Sequence, residues 1–453
     1  MENLLAQVTK RANRYINEIQ TRRVSPSPEN IATLKNLDMP LQDQPIDPAT
    51  VLAELDDIAA PATVASTGGR FFGFVIGGCL PAPMAVNMLA GVWDQNAGLE
   101  ASSPLASFME ELCRNWLLSM LGLPARAGIG FVTGATMANF TGLAAARHAL
   151  LSASGWDVES KGLFGAPEVT VVVSEEVHVS VLKALSMLGL GRDRVVRVAV
   201  DGQGRMLANL IPPITGPTII CIQAGNVNTG AFDSAADICS IAGESNAWVH
   251  VDGAFGLWAA AAPHRAHLVQ GIENADSWAT DAHKWLNVPY DSGLVFVRDI
   301  RYLKAAMSVS AAYLLESERR EPASFVPEMS RRARGLEIWA ALRSLGKSGI
   351  ANLIEGCCNH AACFAEGLKA AGYQVLNEVV LNQVLVKFGS DEQTRRVIRH
   401  IQQDGTCWCG ETKWQGHVAM RISVSSWATT AEDVSQSLDA IIRIAKKETE
   451  VLR

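Results

Sequence analysis

The chain is 453 residues long, 48% hydrophobic and 19% charged, an ordinary globular texture in a chain too long for one compact core. A formal charge of −7 leaves no basic footprint for nucleic acid, and no apolar run approaches the roughly 20 residues that a membrane span needs. The opening Met1-Glu2-Asn3-Leu4 has no basic stretch followed by an apolar one, so a cytoplasmic protein with reduced cysteines is expected. Neither Cys357-Cys358 nor Cys407-Trp408-Cys409 has the spacing of common zinc sites, and the nine histidines do not cluster, so no metal is expected.

Residues 1–64 carry helical stretches over Leu4–Gln20 and Ala49–Ala59, around a proline-rich connector from Val24 to Pro48. Proline at this density breaks regular structure, and the segment has little apolar content to fold alone. It is expected to pack across another surface, that of a partner subunit. From 65 to 335 the pattern alternates. Helical periodicity occupies Pro104–Leu121, Ala138–Ser152, Ser180–Leu188 and Asp233–Asn246, and β-branched runs occupy Val169–Val173, Arg194–Val200, Thr218–Ile222, Trp248–Val251 and Leu294–Val297. This argues an α/β fold with a mainly parallel sheet covered on both faces, whose ligand sits at the carboxyl ends of the strands. Residues 336–453 read as a smaller α+β domain. It has a long helix from Ile338 past Gly349 to Ala371, strand signals at Val379–Phe388 and His417–Val424, and a closing helix over Ala431–Lys447.

Asp252 ends the apolar run Trp248-Val249-His250-Val251, and Lys284 follows in the polar turn Asp281-Ala282-His283-Lys284-Trp285-Leu286. A carboxylate at a buried strand end and a lysine on a turn suit a pyridoxal 5'-phosphate (PLP) site. The lysine forms a Schiff base with the aldehyde, and the carboxylate keeps the pyridine nitrogen protonated. Taken singly, each has a plainer reading, a strand end and a solvated lysine. Gly130 to Asn139 joins an apolar run to an alanine-rich helix, so Ala135 and Thr136 stand at a helix start that cradles a phosphate or is simply capped by Thr133 or Thr136. His178 follows one strand and is placed to stack on a planar ring or to cap a helix. Asn226 follows another and is either a cofactor contact or part of an Asn/Gly turn.

Together these segments resemble the group II PLP-dependent amino-acid decarboxylases, in order and spacing and over nearly the whole chain. Thr133 to Asn139, the segment around His178, Val251-Asp252-Gly253-Ala254 and Asp281 to Leu286 carry the resemblance, with Ser330 to Gly335 and Met420 to Ser425 later in the chain. The resemblance implies fold type I, the aspartate-aminotransferase-like architecture: a seven-stranded, mainly parallel sheet in the large domain and a small C-terminal domain. It implies a homodimer with active sites at the subunit interface, and a carboxy-lyase releasing CO2 and an amine from an L-amino acid. By position, Lys284 resembles the Schiff-base lysine, Asp252 the pyridine partner, His178 the ring-stacking histidine and Ala254 the small residue beneath the ring. Ala135, Thr136 and His283 resemble the phosphate contacts, and Asp281 is counted among the cofactor-binding residues. Arg421 resembles an arginine that meets the substrate carboxylate, or stands in a surface salt bridge. Phe72 and Phe74 match the wall that faces the substrate side chain and suit an aromatic group; their other reading is core.

One departure bears on the product. The family protonates the substrate α-carbon with a loop tyrosine ahead of the Ser-Arg-Arg segment. Here the residue nearest that position by spacing is Phe325, which has no proton to donate, while Tyr313 lies earlier in the loop and is the candidate to replace it. Decarboxylation to an amine is the leading expectation. An aldehyde synthase, or a carbon–carbon lyase or aldolase on the same fold, is the alternative.

Overall fold

Seven strands carry the larger part of the fold. The computed structural model describes residues 1–308 and 319–450, and the chain packs as two units, neither of them one continuous stretch. The larger unit comprises Gly77–Asn359 with Asn377–Gln383. Its strands are β1 (Gly128–Val132), β2 (Thr170–Ser174), β3 (Val196–Val198), β4 (Thr218–Gln223), β5 (Trp248–Asp252), β6 (Ser277–Asp281) and β7 (Gly293–Val297). They form one sheet in the order β1-β7-β6-β5-β4-β2-β3, in which only β7 runs against its neighbours. This is the expected seven-stranded, mainly parallel sheet of fold type I. Five of its strands, β1 and β4 to β7, are buried from end to end, as strands covered on both faces must be.

The helix Ala135–Ala153 lies in the main core cluster through Ala138, Leu143, Ala144, Ala145 and Ala146. Small side chains let it approach β5 closely. At Gly142 a Cβ would stand 2.9 Å from the His250 ring, so even alanine would force a shift there. β6 escapes a reading by apolar alternation, because Ser277, Thr280 and Asp281 are polar, yet all five of its residues are buried.

The second unit comprises Met1–Ile76, His360–Leu376 and Val384–Arg453. Its sheet contains β8 (Gln374–Val375), β9 (Gln383–Lys387), β10 (Gly410–Trp414) and β11 (His417–Ser423) in the order β10-β11-β9-β8. The connector Val24–Pro48 is not wholly irregular. Pro28 opens a short helix, Pro28–Thr33, with Ser27 accepting the Asn30 N–H as its cap, a position where proline's missing donor costs nothing. A charged helix, Asp391–Asp404, is capped by Ser390 and ends at Gly405 in the left-handed region (φ 77°). The long helix runs over Gly335–Ala370 but breaks at Gly346 (φ 60°), so it is less continuous than its sequence pattern suggests.

Glu110 anchors the entry to β1 in the larger unit. It is 1% exposed and accepts from Arg331 Nη2 at 2.6 Å and Arg320 Nε at 3.0 Å, while Arg320 also donates to the Ile129 carbonyl at 2.6 Å. Removing one member of a buried ionic group leaves the others uncompensated, at a cost of about 3–5 kcal/mol. Glu110→Ala is therefore expected to lower the unfolding free energy by about that amount in urea titrations. Asp57→Ala, which touches only solvent-facing pairs with Arg11 and Arg14, is expected to leave it nearly unchanged.

Candidate active site

The carboxyl edge of the large sheet gathers the residues singled out from the sequence. Ala135 and Thr136 follow β1, His178 follows β2, Asn226 follows β4, Asp252 ends β5, and Asp281, His283 and Lys284 end or follow β6. β5 and β6 are adjacent and parallel, with Asp252 opposite Ala279, so two carboxylates stand side by side at the strand ends. Ala254 links them: its N–H donates to Asp252 Oδ1 at 3.2 Å, and its carbonyl accepts the Asp281 N–H at 2.9 Å.

Lys284 lies in a four-residue helical turn, Ala282–Trp285, and its Nζ is 3.0 Å from Asp281 Oδ2. Asp281 Oδ1 accepts the Ala135 N–H at 2.5 Å and lies 3.4 Å from His283 Nε2. No side chain caps the helix Ala135–Ala153, whose N-cap is Gly134, so neither Thr133 nor Thr136 takes the plain capping role. Asp281 supplies the negative group at that positive helix end. His283 accepts the Ser292 N–H on Nδ1 at 3.1 Å, which leaves its proton on Nε2, and its ring stacks on Tyr290 at 4.3 Å. Burial pushes the His283 pKa down, against the pull of Asp281. Burial and Asp281 push the Tyr290 phenol up to about 12.

Asp252 is held from the other side. Asn139 Nδ2 donates to Asp252 Oδ2 at 3.2 Å and to Ser180 Oγ at 3.1 Å, and Ser180 Oγ is 2.8 Å from His178 Nδ1. His178 does cap its helix, accepting the Ser180 N–H on Nδ1 at 3.3 Å. Asn226 Oδ1 turns back onto the Asn228 and Thr229 N–H groups, while its Nδ2 is buried with no hydrogen-bond partner. Sequence reasoning missed Asn139, Ser180, Tyr290 and Gly77. Asn139 had a legible signal, a polar side chain in an alanine-rich helix, because a buried amide needs partners. Gly77 had none: a Cβ there would stand 1.7 Å from the Lys284 carbonyl oxygen.

Other expectations are placed differently. Phe72 is 1% exposed and packs edge-on against Phe364 at 5.0 Å, so it is a core residue of the smaller unit. Phe74 is 60% exposed and lies over Trp408 at 5.1 Å. Arg421 in β11 is drawn into the fold, and burial lowers its pKa to about 10, which is not the setting of a surface salt bridge. Phe325 is 3% exposed, with the Arg320 guanidinium 3.8 Å from its ring, and packs in the main core. It does not stand in for a loop residue facing substrate. Tyr313 lies outside the described residues.

The model of the pyridoxal-dependent decarboxylase conserved domain matches residues 28–388. The chain belongs to the pyridoxal-dependent decarboxylase family. It is 28% identical over 388 residues to an aromatic-L-amino-acid decarboxylase of Bacillus atrophaeus, covering 80% of this chain and 76% of that one. It is 29% identical over 390 residues to an L-2,4-diaminobutyrate decarboxylase of Rhizobium meliloti, covering 80% and 74%. Its fold matches a crystal structure of Oryza sativa TDC with PLP and tryptamine at a TM-score of 0.90, with 21% identity and 98% and 97% of the two chains covered. This decarboxylase is a PLP-dependent carboxy-lyase acting on an amino acid.

The described residues fit that cofactor. A primary amine at Lys284, a carboxylate at the end of β5, an unpartnered buried donor on Asn226 and a helix start without a side-chain cap supply the groups that an aldehyde, a pyridine nitrogen and a phosphate call for.

His250 lies within β5, fully buried, and burial lowers its pKa to about 3. The unfolded chain takes up that proton near pH 6.5, so the folded state excludes a proton the unfolded state binds. This contribution to stability is complete above about pH 6.5 and is lost as pH falls toward about 3, with a slope approaching 1.4 kcal/mol per pH unit. Urea midpoints are expected to fall between about pH 7.5 and pH 5. The gap between the wild type and His250→Gln is expected to narrow over the same interval.

Proposed function

We propose that this decarboxylase releases CO2 and an amine from an aromatic L-amino acid, using Lys284, Asp252 and His178 around the cofactor. The observation that carries this reading is the meeting of Asp252 and the Asp281–Lys284 turn at the ends of two adjacent parallel strands. When bound, PLP supplies an electron sink for the bond that breaks at the α-carbon. The chain's own residues hold, orient and move protons. Lys284 offers the amine that bonds the cofactor, and Asp281, 3.0 Å away, steadies that amine when substrate displaces it. Asp252, held by Ala254 and Asn139, faces the pyridine nitrogen, and His178, fixed through Ser180, lies on the ring. Ala254 keeps the space beneath the ring open.

Thr136, His283 and Ala135 are assigned to the phosphate. His283 serves there as a neutral hydrogen-bond donor through Nε2, and Ala135 can join only when its N–H leaves Asp281. Asn226 donates its spare Nδ2 hydrogens to the cofactor or substrate. The exposed ring of Phe74 over Trp408 supports an aromatic substrate, and Phe72 drops out of the pocket. Arg421 is assigned to the substrate carboxylate and Tyr313 to protonation of the α-carbon. The aldehyde reading leaned on Phe325 in the tyrosine's place, and a core position for Phe325 removes that support. We further propose a cytoplasmic homodimer, with the chain divided near residues 64 and 335 and the first segment packed on the partner. Exposed Leu5, Ile16, Ile31, Leu41, Val51 and Leu55 support that packing, and nine cysteines that form no disulfide among the described residues support a reducing compartment.

Incubation of the PLP-loaded protein with pooled L-amino acids is expected to yield one aromatic amine with CO2, identified by mass spectrometry. An aldehyde with ammonia and peroxide would overturn the amine assignment, and a non-aromatic amine the substrate class. Lys284→Ala is expected to abolish the visible band of the bound cofactor and reduce turnover to background. A band left intact would remove Lys284 from its role.

A further inference from the structure

We propose that a hydrogen-bonded chain of fixed polarity, from the Trp248 indole through Ser277, His250 and Asn139, positions Asp252 and, through Ser180, His178. It rests on the assignment of those two residues to the cofactor. The links are short and buried. Trp248 Nε1 is 2.8 Å from Ser277 Oγ, which is 2.7 Å from His250 Nδ1, and His250 Nε2 is 2.9 Å from Asn139 Oδ1. Asn139 Nδ2 then reaches Asp252 Oδ2 and Ser180 Oγ, as described above.

The two ends of this chain dictate its direction. An indole N–H can only donate, and a carboxylate oxygen accepts. From the indole end, Ser277 accepts from Trp248, which leaves its own hydrogen for His250 Nδ1. His250 therefore carries its proton on Nε2 and donates to Asn139 Oδ1. From the other end, Asp252 requires the Asn139 amide nitrogen to face it, which again places the amide oxygen toward His250. Both readings give one arrangement, in which every donor has an acceptor and both Asn139 N–H hydrogens are used. Ser180 accepts one of them and turns its hydrogen to His178 Nδ1, which already accepts a backbone N–H. Reversing the amide would set two acceptors face to face at 3.2 Å, at a cost of about 1–3 kcal/mol for each buried group left unmatched.

The geometry follows from the strand. Trp248, His250 and Asp252 alternate onto one face of β5, so the chain runs roughly 13 Å along that face, from its amino end to the candidate active site. Ser277 stands opposite His250 in register on β6, and Gly142 makes room for the His250 ring beneath the helix that carries Asn139. These side chains line one face of β5, whose other face carries Val249 and Val251. Their common consequence is that the Asp252 carboxylate and the His178 ring cannot turn independently. Trp248, Ser277, His250, Asn139 and Ser180 are positioning residues.

The test uses the full chain labelled with 15N-histidine, with and without PLP, as wild type, Trp248→Phe and Ser277→Ala, with His250→Gln to assign the His250 signals. The expected wild-type result is a neutral His250 protonated on Nε2. Each of the two variants should keep the proton on Nε2, which Asn139 still requires, and shift the 15N resonance of His250 Nδ1 as its hydrogen-bond donor is lost or loosened. Each should also shift the visible absorbance maximum of the bound cofactor and lower turnover up to about tenfold with KM within about threefold, as loss of one buried hydrogen bond between neutral groups would. Ser277→Ala removes a single oxygen and carries the test if Trp248→Phe does not fold. A wild-type His250 protonated on Nδ1 or on both nitrogens overturns the polarity. A shifted Nδ1 resonance with the absorbance maximum unmoved overturns the positioning role. Both readouts stand without any substrate being turned over, so failure of the decarboxylase assignment is separately visible.

Discussion

The Asp281 carboxylate holds the N-terminus of one helix, Lys284 and the neighbouring His283 within a single hydrogen-bonding group. Its place is set by backbone geometry. Asp281 pairs with Gly293 across β6 and β7, and a Cβ on Gly293 would lie 2.4 Å from the Gly134 Cα. Two glycines thus meet backbone to backbone, bringing the start of the helix Ala135–Ala153 against the strand ends. A side chain on Gly293 would push the helix N-terminus off Asp281 and free Lys284 from its neighbour. Lys284 itself stays in reach because a single helical turn separates it from Asp281 and because Gly77 passes close to its carbonyl. The placement of the lysine amine thus depends both on its own contact with Asp281 and on backbone packing that touches no lysine side-chain atom.

Two aspartates end adjacent parallel strands, and their partners separate their functions. Asp281 lies against an ammonium group, a ring nitrogen and a backbone amide. The hydrogen-bond donors to Asp252 are a side-chain amide and a backbone N–H, neither of which carries a positive charge. Neutral donors orient a carboxylate without offsetting its charge, so Asp252 is the one prepared for an incoming cation such as a protonated pyridine nitrogen. Asp281 already has its cation. The same residue type at equivalent positions therefore takes two tasks, and the helix residue Asn139 makes the difference at one of them.

Much of this was legible in the sequence, and the rest was hidden for identifiable reasons. β-branched runs marked β2, β4, β5 and β7 because those strands are rich in Val and Ile and mostly buried. β6 went unread because its polar residues are satisfied inside the sheet by partners distant in sequence, as Ser277 is by Trp248 and His250. Asp252 and Lys284 could be singled out because each follows a readable signal, a strand end and a polar turn. Ser180 and Gly77 could not, because their importance lies in what packs against them, and Asn139 offered only a polar side chain in an alanine-rich helix. Phe72 and Phe74, two residues apart in one short segment, look alike as letters, yet one is core and the other exposed. Positive φ values at Phe74 (53°) and Val75 (62°) break the extended geometry that would give a period-2 alternation its meaning. A β-branched residue in the left-handed region is strained, and such strain persists only where surrounding contacts hold it.

Selecting one bond at an amino acid's α-carbon requires that the cofactor plane and the substrate be held in a fixed relation, because the bond that breaks must stand perpendicular to the ring. The residues around that plane sit on strand ends and on the first turns of helices, which position side chains more tightly than loops do. His178 illustrates the economy of this design. Its backbone starts a helix, its Nδ1 takes the Ser180 N–H, and the Ser180 hydroxyl is tied to Asn139, which is tied to Asp252. Rotation of the imidazole would unmake a helix cap and leave a buried hydroxyl and amide unmatched, so the ring is restrained by the fold as a whole. The faces of the cofactor site are in this sense an extension of the sheet's interior: the same close packing that buries β5 fixes the angle at which His178 and Asp252 meet whatever lies between them.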